Sequence, residues 1–297
     1  MRRIDPPRHF DSSTCPCPSV RLRRNRDSLP QRPTRARTMK SITRPGFTLL
    51  LIALAGCAHS RTADPAPPSP ISDLPALRVG IARTVPPIMF EQAGRPAGIE
   101  ADLAQRLGAA LGFEIEYVPT YFPNLLFELN EKHIDIVMAG MTITKSRQKK
   151  AAFTEPYLTI GQQVLTRRDT SARLATRDAI RRTTLTVGVE SGSTAEQFVT
   201  REIRGAAREA FPTVAAAIES LLEGGIDLIV HDGPTVHWFA AQHAADGLVA
   251  IPHNLTEEHL GWAVHRENRE LLDQVNAVLQ RWKADGTLES VLRRWIP

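Results

Sequence analysis

Two threonines and an arginine follow directly on a mainly apolar segment, and side chains of these types bind anions. Residues Ile134–Ala139 are apolar except for one aspartate, which is typical of a buried parallel strand. After a turn at Gly140, Thr144 is placed to cap a short helical turn that carries Arg147. Thr142 and nearby backbone N–H groups would then lie beside the guanidinium at a strand end, where parallel sheets bind ligands. The spacing predicts a carboxylate site, since arginine holds a carboxylate with two parallel hydrogen bonds; an ordinary turn with a solvated arginine is the alternative.

A second apolar segment, Ile226–Val230, also ends in polar residues. His231 and Asp232 follow it, and Pro234 marks the start of a new helix. Asp232 is therefore a candidate partner for a cation or simply the N-cap of that helix, and His231 is either a pocket residue or a structural histidine. Both apolar segments begin with Ile-Asp after a predicted helix. The chain is thus predicted to contain two related α/β halves, each with strands joined by crossover helices as in a parallel sheet.

The positive charge of the chain is concentrated near its N-terminus. The 297 residues include 37 Lys and Arg and 32 Asp and Glu, and the isoelectric point is about 9.4. Of these, 12 basic and 3 acidic residues precede Cys57, so the remainder carries 25 basic and 29 acidic side chains, a net charge of −4. A nucleic-acid partner is not expected, because binding phosphates requires a basic face.

Residues 39–56 have the pattern of a bacterial lipoprotein signal peptide. Met39 opens a short basic region, and the apolar run Phe47–Ala55 is too short to span a membrane as a permanent helix. The run ends in Leu-Ala-Gly before Cys57, which resembles a lipobox. This resemblance implies cleavage before Cys57 and lipidation of its thiol, with Ala58 favouring the outer membrane; a chance apolar run is the alternative.

The segments on either side of this leader have no apolar periodicity. Residues 1–38 are rich in Arg and Pro, so they are predicted to be an untranslated or disordered upstream segment, with translation starting at Met39. Residues 57–76, the lipidated cysteine and a Pro-rich stretch, are expected to form an extended tether. The other two cysteines, Cys15 and Cys17, lie upstream of Met39. The predicted folded region therefore contains no disulfide, although an oxidising compartment remains compatible with it.

Six short motifs occur in the same order as in a known family. They are Leu77–Ile81 (LRVGI), Gly98–Leu107 (GxxADLAxxL), Ile134–Tyr157, Ser191–Thr194 (SGST), His231–Pro234 (HDxP) and Ala284–Leu288 (ADGTL). With these motifs, residues 77–296 resemble the bacterial extracellular solute-binding proteins of family 3, the amino-acid receptors of ABC transporters.

The resemblance implies an α/β chain with the two-lobed, periplasmic-binding-protein-like (type II) fold. Each lobe would be a mostly parallel sheet flanked by helices, and two crossover hinge strands would join the lobes. The crossings are expected near Leu158–Gln162 and Leu260–Val264. Lobe 1 would comprise residues 77–159 and 262–297, and lobe 2 would comprise residues 160–261.

The resemblance also implies roles for individual side chains. Arg147 would clamp the α-carboxylate of the ligand and Asp232 would bind its α-ammonium. Further contacts are expected from Thr142, Gly140, Ser193 and Thr194 beside the carboxylate, from Phe122 as an aromatic wall, and from His231 in the side-chain pocket. Glu190 and Arg83 occupy positions that differ from many relatives. Arg83 would favour an acidic ligand and Glu190 a basic one, unless both face solvent.

The predicted function is therefore a lipid-anchored periplasmic receptor, acting as a monomer, that delivers an amino acid to an ABC permease. No cofactor and no metal site are expected, because the chain shows no Gly-rich phosphate loop, nucleophile elbow or reliable ligand spacing. One alternative is a periplasmic dehydratase on the same scaffold, for which Glu155, Glu190 and His231 are the candidate acids and bases. The other alternative is a ligand-sensing regulatory module.

Overall fold

The computed structural model describes residues 75–296. Predictions for the upstream segment 1–38, the signal peptide 39–56, Cys57 and the tether up to residue 74 lie outside the described residues. Between residues 75 and 296 no helix combines the length and apolar character needed to cross a bilayer.

The described part of the chain alternates strands and helices. Its strands are β1 Ala76–Ile81, β2 Thr84–Val85, β3 Met89–Gln92, β4 Arg95–Ala97, β5 Glu114–Pro119, β6 Ile136–Val137, β7 Ala152–Phe153, β8 Leu158–Ile160, β9 Gln162–Arg167, β10 Thr186–Glu190, β11 Ala207–Phe211, β12 Leu228–Asp232, β13 Leu248–Ile251, β14 Glu258–Leu260 and β15 Ala263–Val264. Its α-helices are α1 Ile99–Leu111, α2 Leu125–Asn130, α3 Lys145–Gln148, α4 Arg168–Ser171, α5 Arg177–Arg181, α6 Thr194–Glu202, α7 Val214–Glu223, α8 Gly233–Gln242, α9 Arg269–Ala284 and α10 Thr287–Trp295. Short 3₁₀ helices lie at Phe122–Asn124 and Ala172–Leu174.

Two five-stranded sheets define the two lobes. Lobe 1 contains the sheet β5-β1-β6-β15-β7, and lobe 2 contains the sheet β11-β10-β12-β9-β13. In each sheet the first three strands are parallel, and the pairings of the last two show that four of the five strands run in the same direction. The strand that runs in the opposite direction is β15 in lobe 1 and β9 in lobe 2. Each of these strands directly follows a crossing between the lobes. The prediction of two mostly parallel sheets is therefore confirmed.

The helices form where apolar residues recur at helical spacing. In α1 the residues Ile99, Leu103 and Leu107 are fully buried, and Gly112 ends the helix in the left-handed conformation with φ 75°. In α9 one apolar face, which includes Leu271 and Trp282, is buried in the hydrophobic core. Local hydrophobic periodicity thus accounts for the helices that flank the sheets.

Two predicted strands are shorter than their apolar runs. Only Ile136–Val137 of the segment Ile134–Ala139 joins the ladder, because its neighbour β15 pairs with those two residues alone. The segment Leu260–Val264 is divided into β14 and β15, since the chain leaves one sheet at Leu260 and enters another at Ala263. A buried apolar run therefore gives the position of a strand but not its length.

The crossings between the lobes lie side by side. Strand β8 pairs with β14 in an antiparallel two-stranded sheet, with Leu158 opposite Leu260. The first crossing falls within the predicted range. The second, Glu258–Leu260, overlaps the predicted range near Leu260–Val264 only at Leu260, because Ala263 has already joined the lobe 1 sheet. The lobe boundaries 77–159 plus 262–297 and 160–261 stay a prediction.

Candidate ligand-binding site

One cavity between the lobes brings together nine of the ten residues that the sequence singled out for the ligand, and Arg83 is the one that does not line it. It is lined by Val85, Phe122, Ala139, Gly140, Thr142 and Arg147 of lobe 1 and by Glu190, Ser193, Thr194, Ala195, His231 and Asp232 of lobe 2. The cavity is narrow, with a volume of about 20 Å³. The structure thus places these side chains together, and their roles in binding stay a prediction.

Arg147 is held at the cavity by its own short helix and by carbonyl groups of both lobes. The Thr144 hydroxyl accepts a hydrogen bond of 3.2 Å from the Arg147 backbone N–H, so the predicted cap is present. The guanidinium donates to the carbonyl oxygens of Thr142 (2.9 Å) and Gly192 (3.2 Å) and lies 5.2 Å from the centre of the Phe122 ring. A cation in this position gains from carbonyl dipoles and from the π-face of the ring.

The charge of Arg147 lacks a close partner of opposite sign. Arg147 is 7% exposed, and burial lowers its pKa, while the negative charges of Asp232 and Glu258 partly offset this effect. Within the described residues its guanidinium contacts carbonyl groups and takes part in no salt bridge to a carboxylate. An anion entering the cavity would therefore gain a full ion pair with a group that is already desolvated.

The N-terminus of α6 faces this arginine from lobe 2. Ser193 caps the helix: its hydroxyl accepts from the Glu196 N–H at 3.0 Å and donates to the Glu190 carbonyl at 2.6 Å. The N–H groups of Thr194 and Ala195 belong to the first turn, which has no intrahelical acceptors, and such groups bind anions. The hydroxyls of Thr142 and Thr194 lie 3.4 Å apart, so the two lobes meet here.

Thr142 also has a partner that sequence reasoning did not identify. Its hydroxyl donates to the carboxylate of Glu258 at 2.9 Å, across a separation of 116 residues. Glu258 lies on the second crossing strand and also accepts from Thr256 at 2.9 Å. The Thr142 hydroxyl is therefore oriented by the hinge, and the Glu-Glu-His-Leu sequence around Glu258 carries no signal for this contact.

Gly140 lies at the cavity in a conformation that favours glycine. Its φ is 66°, and a Cβ would lie 3.1 Å from a methyl carbon of Ile88. Its backbone N–H donates to the carboxylate of Glu100 at 2.8 Å. This N–H group therefore already has a buried acceptor, and the expected contact of the backbone around Gly140 with a ligand carboxylate stays a prediction.

Glu100 is a fully buried carboxylate that sequence reasoning missed. One oxygen accepts from Gly140, and the other accepts from the Tyr157 hydroxyl at 2.5 Å and the Trp262 indole N–H at 3.2 Å. Burial raises the pKa of Glu100 to about 7, although the three hydrogen bonds act in the opposite direction. Tyr157 directly precedes the first crossing and Trp262 follows the second, so Glu100 connects both crossings to the turn at Gly140.

Asp232 ends β12 with its carboxylate in the cavity. Asp232 occupies the N-cap position of α8 as predicted, but its side chain makes no capping hydrogen bond, so its carboxylate is not engaged by the helix. The carboxylate accepts from the Gln162 side-chain amide at 2.7 Å. Burial raises the pKa of Asp232, and nearby Glu258 and Glu190 raise it further, against the influence of His231 and Gln162. A cation beside Asp232 would relieve this unfavourable environment.

His231 and Glu190 form a buried pair in the same cavity. His231 Nδ1 accepts the backbone N–H of Asp232 at 2.8 Å, and Nε2 lies 3.4 Å from a carboxylate oxygen of Glu190. Burial lowers the pKa of His231, but the hydrogen bond to Glu190 and the charges of Asp232, Glu190 and Glu258 raise it overall. His231 is thus both held by the backbone and part of the cavity wall.

The remaining candidate for acid–base chemistry, Glu155, lies elsewhere. It does not line the cavity, and it accepts hydrogen bonds from Gln280 at 3.0 Å and Lys283 at 3.3 Å on the surface. Among residues 75–296, His, Cys, Asp and Glu side chains do not come together in groups of three or more that could hold a metal ion.

Known proteins resemble this chain over nearly all of the described region. The L-cystine-binding protein TcyJ of Escherichia coli K12 is 28% identical over 249 residues, which cover 83% of this chain and 92% of the relative. The cyclohexadienyl dehydratase of Pseudomonas aeruginosa is 32% identical over 157 residues, 52% of this chain and 59% of that enzyme. The structure of an ancestral arginine-binding protein bound to arginine matches with a TM-score of 0.71 and 31% identity, covering 75% of this chain and 98% of that protein.

The sequence pattern of one protein family matches the whole region that contains the six sequence motifs and the residues lining the cavity. The matched residues are 77–297, and the family is described as bacterial extracellular solute-binding proteins, family 3. Since the match spans well over half of the chain and the two-lobed fold agrees with it, the chain belongs to the bacterial extracellular solute-binding proteins, family 3.

Proposed function

We propose that this protein captures an amino acid between its two lobes and delivers it to the permease of an ABC importer. The observation that carries the proposal is the pair Arg147 and Asp232. The two residues have opposite charges, are 7% and 8% exposed, come from opposite lobes and line the same cavity. Relatives of this chain are binding proteins for cystine and arginine, both of which carry the α-amino and α-carboxyl groups that such a pair would bind.

The chemistry of an amino acid matches the two sides of the cavity. Its α-carboxylate would lie against the Arg147 guanidinium and the N-terminus of α6, where N–H groups and positive charge converge. Its α-ammonium would lie against Asp232, which Gln162 holds in place through a 2.7 Å hydrogen bond. Because each lobe contributes one charged group, binding the zwitterion stabilises the closed arrangement of the lobes.

A thermal-shift screen of the twenty amino acids tests this proposal. A ligand present at about 100 times its dissociation constant raises the free energy of unfolding by about 2.7 kcal/mol, so at least one amino acid is expected to raise the melting temperature clearly. The corresponding decarboxylated amine, which lacks the group that Arg147 would bind, serves as the matched control ligand and is expected to have a much smaller effect. If no amino acid stabilises the protein, the proposal is wrong.

The same proposal places the protein in the periplasm, attached to a membrane through Cys57 and acting as a monomer, with the outer membrane favoured. Cys57→Ser is expected to abolish incorporation of labelled fatty acid and to move the protein from the detergent phase to the aqueous phase on phase partitioning. Cys15→Ser is the matched control, and no change is expected because translation would start at Met39. Labelling of the Cys57→Ser protein, or a native peptide from residues 1–38 in its mass spectrum, would contradict these assignments.

A dehydratase activity is a second candidate, favoured by the buried His231–Glu190 pair in the cavity. A histidine next to a carboxylate can act as an acid–base pair, and one relative is a cyclohexadienyl dehydratase. Incubation with prephenate or arogenate distinguishes the two functions. Formation of the dehydrated, decarboxylated product would establish the enzyme, whereas tight binding of an unchanged amino acid supports the receptor.

A further inference from the structure

The carboxylate of Glu190 is a buried charge inside the cavity that the zwitterion site does not use. Glu190 is the last residue of β10 and is 3% exposed. Its carboxylate lies 3.4 Å from Nε2 of His231, which is long for a hydrogen bond to a charged acceptor. A buried carboxylate with so weak a partner has room for a stronger donor.

His231 is held by the backbone on one ring nitrogen and faces Glu190 with the other. Its Nδ1 accepts the Asp232 backbone N–H at 2.8 Å, so this nitrogen carries a lone pair and no proton. The ring proton is then on Nε2, which faces Glu190. His231 is therefore placed to donate to the Glu190 carboxylate, but only over the long distance of 3.4 Å.

With a zwitterion bound, one carboxylate of the cavity would have no positively charged partner. The guanidinium and carboxylate groups lining it are those of Arg147, Asp232 and Glu190. A zwitterion would pair its carboxylate with Arg147 and its ammonium with Asp232. Glu190 would then be enclosed without a cation, and an unpaired buried ion costs several kcal/mol.

Arg83, the other candidate for selecting a side chain, already has a partner. Its guanidinium forms a 2.7 Å salt bridge with Glu91, and the Arg83 side chain is 42% exposed. The structure thus separates the two sequence hypotheses: the positive charge of Arg83 is paired at the surface, while the negative charge of Glu190 is buried in the cavity.

Space for a long side chain adjoins Glu190. A second, more open cavity of about 390 Å³ shares Glu190 and Phe122 with the first. It is also lined by Ala82, Arg83, Pro119, Thr120, Tyr121, Pro212 and Thr213. A side chain leaving the zwitterion site in this direction passes the Glu190 carboxylate and an aromatic ring.

We propose that Glu190 makes the site selective for amino acids with a positively charged side chain, of the lysine and arginine type. The side-chain cation donates to the Glu190 carboxylate and balances the charge of the cavity. The aliphatic part of the side chain packs against Phe122. This inference rests on the proposed function, since it assumes that Arg147 and Asp232 hold the main-chain groups of the ligand.

Calorimetric titration with matched ligand pairs tests the inference. Lysine is compared with norleucine, and arginine with citrulline, because each pair has a similar length but only the first member is charged. The unaltered protein is expected to bind the charged member about 10- to 100-fold more tightly, the usual effect of one hydrogen bond to a charged group. Equal affinity within both pairs, or tighter binding of the uncharged members, would overturn the inference.

The substitution Glu190→Gln tests whether Glu190 causes the preference for positively charged side chains. The substitution is expected to remove most of the preference by weakening lysine and arginine binding about 10- to 100-fold, while norleucine and citrulline change little. Glu155→Gln, the same change at an exposed position outside the cavity, is expected to keep the preference. Equal loss for charged and uncharged ligands in Glu190→Gln would assign the residue a general structural role and refute the selectivity. Failure of the proposed function is distinct, since the unaltered protein would then bind no amino acid at all.

Discussion

Arg147→Ala is expected to weaken amino-acid binding by a factor on the order of 100 to 1,000. The arginine is buried and its guanidinium contacts carbonyl groups of Thr142 and Gly192, so it is positioned before any ligand arrives. Removing it would leave the ligand carboxylate enclosed without a counter-charge, and it would also remove a hydrogen bond between the lobes. Calorimetric titration with the amino acid that gives the largest thermal shift measures the effect.

Two matched variants separate the charge of Arg147 from its geometry and from effects on folding. Arg147→Lys keeps a cation but loses the two parallel hydrogen bonds, so an intermediate loss of affinity is expected. Lys145→Ala removes an exposed cation from the same short helix and is expected to leave affinity unchanged. An Arg147→Ala protein that folds normally and binds its ligand with unaltered affinity would show that the carboxylate is held elsewhere.

Glu100→Gln is expected to change how stability depends on pH. In the folded protein the pKa of Glu100 is raised to about 7 from an ordinary value of 4.5, mainly because the side chain is fully buried. The neutral form is favoured by folding, so this contribution to stability is fully present below pH 4.5 and is lost as the pH rises through 7. With 1.36 kcal/mol per pKa unit, the unaltered protein should lose on the order of 3 kcal/mol more than Glu100→Gln between pH 4.5 and 8.

Urea unfolding at several pH values measures this difference. Glu100→Gln is also expected to be less stable at acidic pH, because its amide N–H₂ must face one of the donors Gly140, Tyr157 or Trp262. Glu114→Gln makes the same change at an exposed position and controls for the substitution itself. Parallel pH profiles for the unaltered and Glu100→Gln proteins would show that Glu100 does not titrate in this range.

The part of the site that would bind the ligand carboxylate was predictable from sequence, because the residues that form it are close together in the chain. An apolar run marks a buried strand, and a threonine three residues before Arg147 caps the turn that carries it, as the 3.2 Å bond from Arg147 N–H to Thr144 shows. The same reasoning located Asp232 and His231 at the end of a second buried strand. The α/β class followed from hydrophobic periodicity, and the two-lobed fold was implied by the family resemblance that six ordered motifs carry, each of which depends on neighbouring residues.

Only the tertiary structure decided which of these groups are already engaged and which remain for a ligand. Glu100 reads as an ordinary acidic residue in the first turn of a helix, yet its partners Gly140, Tyr157 and Trp262 lie 40, 57 and 162 residues away. The partner of Thr142 is likewise 116 residues distant. Sequence alone also left Arg83 and Glu190 equivalent, whereas packing placed one in a surface salt bridge and buried the other in the cavity. Local sequence therefore determined the helices and strands and the strand ends that carry the candidate binding residues. Desolvation and long-range hydrogen bonds determined which charged side chains are left unpaired for a ligand, because both depend on how distant elements pack.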